Sequence, residues 1–163
     1  MPDHVCNRNN SESQQQPHTS GAQRTGAQQQ PSAQPIAAEK LPSDYVDKAE
    51  EVMLSLMNLT GGRTKFDITV TKIRKMLTLI TEILNDERLN KNAELKPQNV
   101  QRLQMARVRI AYDAGRDSDV KKFVEKAKLL NYIKGIQNRA EFLKFAEYME
   151  ALVAWHRYLG GEN

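Results

Sequence analysis

Three arginines, Arg102, Arg109 and Arg116, recur every seven residues. On a helix of 3.6 residues per turn each drifts only ~20° from the one before, so they form a single stripe. The stripe borders an apolar face, and Arg107 lies on the other flank of that face. A second cationic group, Lys72, Arg74 and Lys75, falls in the first turns of the preceding helix. The helix dipole opposes positive charge there, by roughly a few tenths of a kcal/mol. Charge set against the local field points either to a tertiary carboxylate or to an external anion. The arginine fork and the lysine point charge both suit phosphate oxygens. Aromatic residues are few on these faces, so backbone contact is expected rather than stacking on unpaired bases. For any single lysine of the next helix, such as Lys121, Lys122, Lys126 or Lys128, a solvated surface is the simpler account.

Catalysis finds little support. Thr60-Gly61-Gly62-Arg63-Thr64-Lys65 has the flavour of a phosphate loop but not its order. His156 shares a helix face with Leu152 and Val153 and lacks the nucleophile and orienting group that a general base needs, so it reads as a buried or flanking histidine. Asp113, Asp117 and Asp119 surround one turn. Helix capping explains Asp117 and Asp119 more simply than a divalent ion does. Cys6, His4 and His18 lack metal-ligand spacing. No catalytic residue, metal or cofactor is expected.

The elements that must carry the basic residues read as five helices from Leu41 onward. The first is capped by Ser43 or Asp44, runs to about Asn58 and buries Val46, Ala49, Val52, Met53 and Leu56. A break at Thr60-Gly61-Gly62 follows. The second runs from about Val70 to Asp86, with the cleanest apolar stripe of the chain. The third opens with Pro97 in its first turn, runs to about Gly115 and buries Val100, Leu103, Ala106, Ile110 and Ala114. The fourth is capped by Asp117 or Ser118 and runs to about Ile136. The fifth starts at Asn138, with Glu141 completing a capping box, and stops at Gly160-Gly161. No strand-like alternation competes. The fold expected is all-α, a compact bundle of about five helices with short connections.

Met1 to about Lys40 is a different material, rich in Gln, Ser, Asn, Pro and Gly. It cannot bury enough apolar surface to offset chain entropy, so disorder is expected over 1–40 and a helical-bundle domain over 41–163. Its three cationic and three acidic side chains cancel, which assigns the whole formal charge of +4 to the helical part. That charge permits a polyanionic partner without demanding one. With 39% hydrophobic and 6% aromatic residues, the core must be modest and mostly aliphatic. No apolar run approaches the ~18 residues of a membrane span, and no signal pattern opens the chain. A lone cysteine excludes an intramolecular disulfide and fits a reducing cytoplasm.

Several segments, in order, resemble the small subunit of type III-A (Csm) CRISPR effector complexes. Asp44 to Leu56, DYVDKAEEVMLSL, looks like its opening helix. Thr69 to Leu79 is similar to its K-x-R-N-L-L-S-L segment, with Lys75 where Asn is common. RVRIAYDAGR resembles its Y-x-A-G-R ending, and VKKFVEKAKLL its next helix. YMEALVAWHRYLGG is the closest match. The Gln-rich leader is not a usual family feature.

The resemblance implies a non-catalytic, cytoplasmic RNA-binding scaffold in antiviral defence, with the RNA binding in the helical-bundle domain 41–163. Copies stack as a filament along the guide (crRNA) and target RNA duplex. The neighbours it implies are other Csm subunits, among them the RNA-cleaving backbone subunit and the large polymerase-like subunit. An A-form duplex offers its backbone and shape more readily than its base edges, which suits that role. The K-x-R motif carries over Lys72 and Arg74 as RNA contacts, and the Y-x-A-G-R motif carries over Arg116. Arg109 and Arg107 join on the charge pattern alone. A helical protein–protein adaptor without RNA contact is the main alternative. A helix-turn-helix regulator is a third reading, but helix four lacks the Arg/Asn/Gln set that reads bases.

Overall fold

The computed structural model describes residues 35–161. Over these the chain is all-α, with six helices and one short hairpin. The helices are α1 (Tyr45–Leu56), α2 (Val70–Glu87), α3 (Pro97–Arg116), α4 (Ser118–Lys126), α5 (Leu129–Gly135) and α6 (Arg139–Tyr158). The hairpin is β1 (Met57–Thr60) and β2 (Arg63–Phe66), between α1 and α2. Among the described residues no helix is long and apolar enough to cross a membrane.

α6 is the centre of the bundle and packs on α1, α2 and α5. Its recurring apolar positions bury Phe142, Phe145, Tyr148, Met149 and Leu152 completely. Asn138 caps it, accepting the Glu141 N–H at 2.9 Å. Glu141 returns the bond one residue further out than a standard capping box, accepting the Gln137 N–H at 2.7 Å. At the far end Gly160 turns left-handed at φ 92°. The Gly161 N–H then donates to the His156 carbonyl and the Gly160 N–H to that of Arg157, the paired closure of a Schellman stop.

The expected break at Gly61-Gly62 is the turn of a two-residue hairpin. Both glycines have positive φ, 60° and 77°, the turn type that matches the twist of paired strands. Met57 pairs with Phe66 and Leu59 with Thr64. Strands of four residues are too short to show alternation in sequence. This one is held by tertiary contact, because Phe66 is buried with its ring centroid 4.6 Å from that of His156.

Helix four is two helices. Lys128 takes a left-handed conformation at φ 51°, which ends α4 and starts α5. No glycine marks that break. Two distant contacts hold it: the Tyr148 hydroxyl donates to the Ala127 carbonyl, and the Lys128 ammonium lies 2.7 Å from Glu39. Residues 36–40 lie against α5 and the start of α6. The Glu39 N–H donates to the Asn131 carbonyl, and Lys134 Nζ to that of Ile36. Gly135 permits this approach, since a Cβ there would fall 1.9 Å from the Glu39 carbonyl oxygen.

The apolar stripes otherwise form the core as their spacing requires. Ile73, Met76, Ile80 and Ile83 of α2 are buried, with Leu103, Ala106 and Ile110 of α3. Val46 and Val100, expected inside, are 46% and 43% exposed; each sits in the first turn of its helix.

Candidate nucleic-acid interface

α2 and α3 pack antiparallel. Lys75 near the start of α2 meets Asp113 near the end of α3, and Asp86 near the end of α2 meets Lys96 at the start of α3. The valley between them holds the stripe found in the sequence. Arg102 and Arg109 edge one open groove, with Met105 beside them and Leu79 and Glu82 facing them from α2. Arg116 edges a second groove along the same helix pair, opposite Lys72 and Lys75. From Arg102 to Arg116 the stripe runs about 21 Å along the helix axis.

The lysines of α2 are answered by carboxylates of this chain. Lys72 Nζ lies 2.7 Å from Asp117 and 3.9 Å from Asp119, and Lys75 Nζ lies 2.9 Å from Asp113. The hydrogen bond to Asp117 raises the Lys72 pKa, and the same bond leads the depression of the Asp117 pKa. The charge placed against the dipole of α2 is thus met by a tertiary carboxylate. The arginines are freer. Arg102 reaches Asp86 only at 3.9 Å. Arg116 donates to the Tyr112 hydroxyl at 3.4 Å, and its guanidinium carbon lies 5.4 Å from the centre of that ring.

The remaining candidates lie elsewhere. Arg74 is exposed on α2 but lines neither groove, and Arg107 is half-buried and also outside both. The structure therefore brings Arg109, Arg116 and Lys72 into one valley and leaves Arg74 and Arg107 out of it.

The match to known proteins bears on this surface. The type III-A Csm2 family profile covers residues 43–162. A protein from Mycobacterium tuberculosis described as CRISPR system Cms protein Csm2 is 36% identical over 120 residues, 73% of this chain and 94% of its own. The chain belongs to the type III-A Csm2 family. A Csm2 protein from Streptococcus thermophilus is 35% identical over 120 residues, 74% of this chain and 94% of its own. One from Enterococcus italicus is 29% identical over 94 residues, 56% of this chain and 67% of its own. The Csm2 match takes in the whole of the α2–α3 valley and begins after the segment 36–40 that lies against α5.

Two buried polar centres support the valley from either end. At one end, Glu87 is fully buried at the close of α2. Its carboxylate accepts from Asn99 at 2.6 Å, from Asn90 at 2.7 Å and from the Lys96 N–H at 2.9 Å. Burial pushes its pKa up, but these donors outweigh burial and leave it lowered. Beside it, donors from Lys96, Asn99 and Gln98 bring the Asp86 pKa down to about 2. Arg139 of α6 donates twice to the Glu87 carbonyl, tying the α2–α3 connection to the core. The sign of this network in the sequence is slight: Asn90 and Asn92 in the polar stretch between α2 and α3, and Asn99 in the first turn of α3.

At the other end His156 is fully buried. Its Nε2 lies 2.9 Å from the Ile68 carbonyl, an acceptor only, so Nε2 carries the proton. Nδ1 has no partner. The ring cannot act as an exposed base. It fastens the residue before the Thr69 cap of α2, whose first turns carry Lys72 and Lys75. Among the described residues no group of three or more His, Cys, Asp or Glu could hold a metal ion. His4, His18 and Cys6 lie outside those residues.

Proposed function

We propose that this chain is the non-catalytic small subunit of a type III-A CRISPR effector ribonucleoprotein in the cytoplasm, working in antiviral defence. In this reading copies stack along the guide RNA–target RNA duplex, beside the RNA-cleaving backbone subunit and the large polymerase-like subunit. The helical domain 41–163 contacts RNA and the α2–α3 valley faces its phosphate backbone. Family membership supports the complex. The observation that carries the surface is the row of Arg102, Arg109 and Arg116 along one helix, the first two edging one groove of the α2–α3 valley and the third edging the next. A rigid row of forked donors suits a regular phosphate backbone. Lys72 supplements it where phosphate competes with Asp117. Arg74 and Arg107 act as peripheral cations.

The test is RNA-duplex binding by the full-length chain across a salt series, with Arg109→Ala/Arg116→Ala set against Arg74→Ala/Arg107→Ala. The first pair is expected to weaken binding more. Each lost phosphate contact reduces the log–log salt slope by roughly 0.7–0.9. An unchanged affinity and slope for the first pair would overturn the valley assignment. Unchanged RNA engagement in every variant, with assembly intact, would favour the adaptor reading.

A further inference from the structure

On α3 the residues Met105, Arg109, Tyr112 and Arg116 recur at four-, three- and four-residue steps, so they share one line along the helix. Tyr112 is 61% exposed, although it sits on a helix whose opposite face supplies the core. Its ring joins no aromatic pair: those among the described residues are Phe66–His156, Tyr132–Tyr148 and Trp155–Tyr158. Its one close ring partner is Arg116, which lies over the ring at 5.4 Å from its centre and donates to its hydroxyl at 3.4 Å. Arg109 stands one turn before Tyr112 and Arg116 one turn after it. Positions 109 and 116 are about 10.5 Å apart along the helix axis, and position 112 lies between them.

A cation, an exposed aromatic ring and a second cation in line are the elements that hold an unpaired nucleotide. Phosphates take the charges and the base takes the ring. A paired base within a duplex cannot use the ring, because its faces are covered by its neighbours. We propose that Tyr112 is a stacking position for a nucleobase displaced from pairing or standing at a duplex end, with Arg109 and Arg116 holding the phosphates on either side. The inference rests on the RNA-binding reading above and adds a ligand class to it: a single-stranded nucleotide, read by its flat face and not by its sequence.

The test uses the full-length chain and two RNA duplexes. One carries a single bulged 2-aminopurine nucleotide; the other carries an abasic site at the bulge. The wild-type chain is expected to bind the first more tightly, by roughly 5- to 150-fold, and to quench its fluorescence. Tyr112→Leu should abolish both the preference and the quenching. It should leave the salt slope of duplex binding unchanged, since no charge is removed, while Tyr112→Phe should keep all three. Tyr112 is exposed, so neither substitution empties the core, and circular dichroism checks that the variants fold. Equal binding of the two RNAs by wild type, or a preference that survives Tyr112→Leu, would overturn the stacking role. A variant that loses self-association but keeps the RNA preference would assign the ring to protein contact and also overturn it. If the wild-type chain binds neither RNA, the RNA-binding reading fails and takes this inference with it.

Discussion

Lys72 and Asp117 meet at 2.7 Å, and Asp117 serves two elements at once. One carboxylate oxygen takes the Lys72 ammonium of α2. The other accepts the Asp119 and Val120 N–H groups at 3.0 and 3.2 Å and so caps α4. The start of α4 and the cationic first turns of α2 are therefore fixed to each other through one side chain. Lys75 and Asp113 repeat the contact one turn along. These two lysines reach an external anion only in competition with carboxylates of their own chain.

Removing that competition should strengthen RNA binding. Asp113→Asn with Asp117→Asn keeps both shapes, and Asn caps a helix about as well as Asp. The lost ion pairs are partly exposed, and such pairs contribute roughly 0–1 kcal/mol, so the fold should persist. Affinity is expected to rise, and the salt slope to steepen by up to about 1.4–1.8 if both lysines gain a phosphate. Anisotropy titrations at several salt concentrations measure both. A double variant that binds no better than wild type would show that Lys72 and Lys75 do not face RNA.

The Glu87 network should be a main source of stability at the α2–α3 connection. Glu87→Gln replaces one acceptor oxygen with an amide donor that must face Asn90, Asn99 or the Lys96 N–H. An unsatisfied or opposed group in such a buried network costs about 2–4 kcal/mol. Urea unfolding should show a lower midpoint at similar slope. The native carboxylate is held below its ordinary pKa, so its stabilisation is present above pH 4.5 and is lost as pH falls below that value. A wild-type midpoint for Glu87→Gln would mean that the network contributes little.

His156 should make the chain acid-sensitive at a higher pH than its carboxylates do. Burial lowers its pKa from the ordinary 6.5; the Ile68 carbonyl works the other way, and the Arg157 charge adds to the lowering. Above 6.5 the imidazole is neutral in folded and unfolded chains alike. As pH falls below that value the unfolded chain takes up a proton that the folded chain resists, so stability falls. Protonation would place a second N–H where Nδ1 has no acceptor. Melting temperatures at about pH 7.5 and pH 5.5 should show a drop for wild type that is smaller for His156→Gln, whatever that variant's starting stability. Equal drops in the two proteins would remove His156 as the cause.

Much of the fold was legible because its signals are local. The apolar repeat of α2 and the Pro97 start of α3 lie within single helices, as do the caps at Asp117 and Asn138 and the Gly160 stop. A helical turn encodes each of them without help from the rest of the chain. Family membership was legible for a related reason: the matching segments run in order along nearly the whole described chain.

Only tertiary structure decided which charges are available, and where. The repeat of Arg102, Arg109 and Arg116 set them in one line, but how α2 lies against α3 determined that this line edges a valley. The same packing brought Lys72 to Asp117, forty-five positions away in sequence, and left Arg74 and Arg107 outside. The break at Lys128 and the hairpin at Gly61-Gly62 depend on Tyr148, Glu39 and His156, each of which acts from a distant part of the chain. Periodicity along a helix fixes which residues share a face. Which face meets a carboxylate, a core or open solvent depends on the arrangement of several helices at once, and no local pattern carries that information.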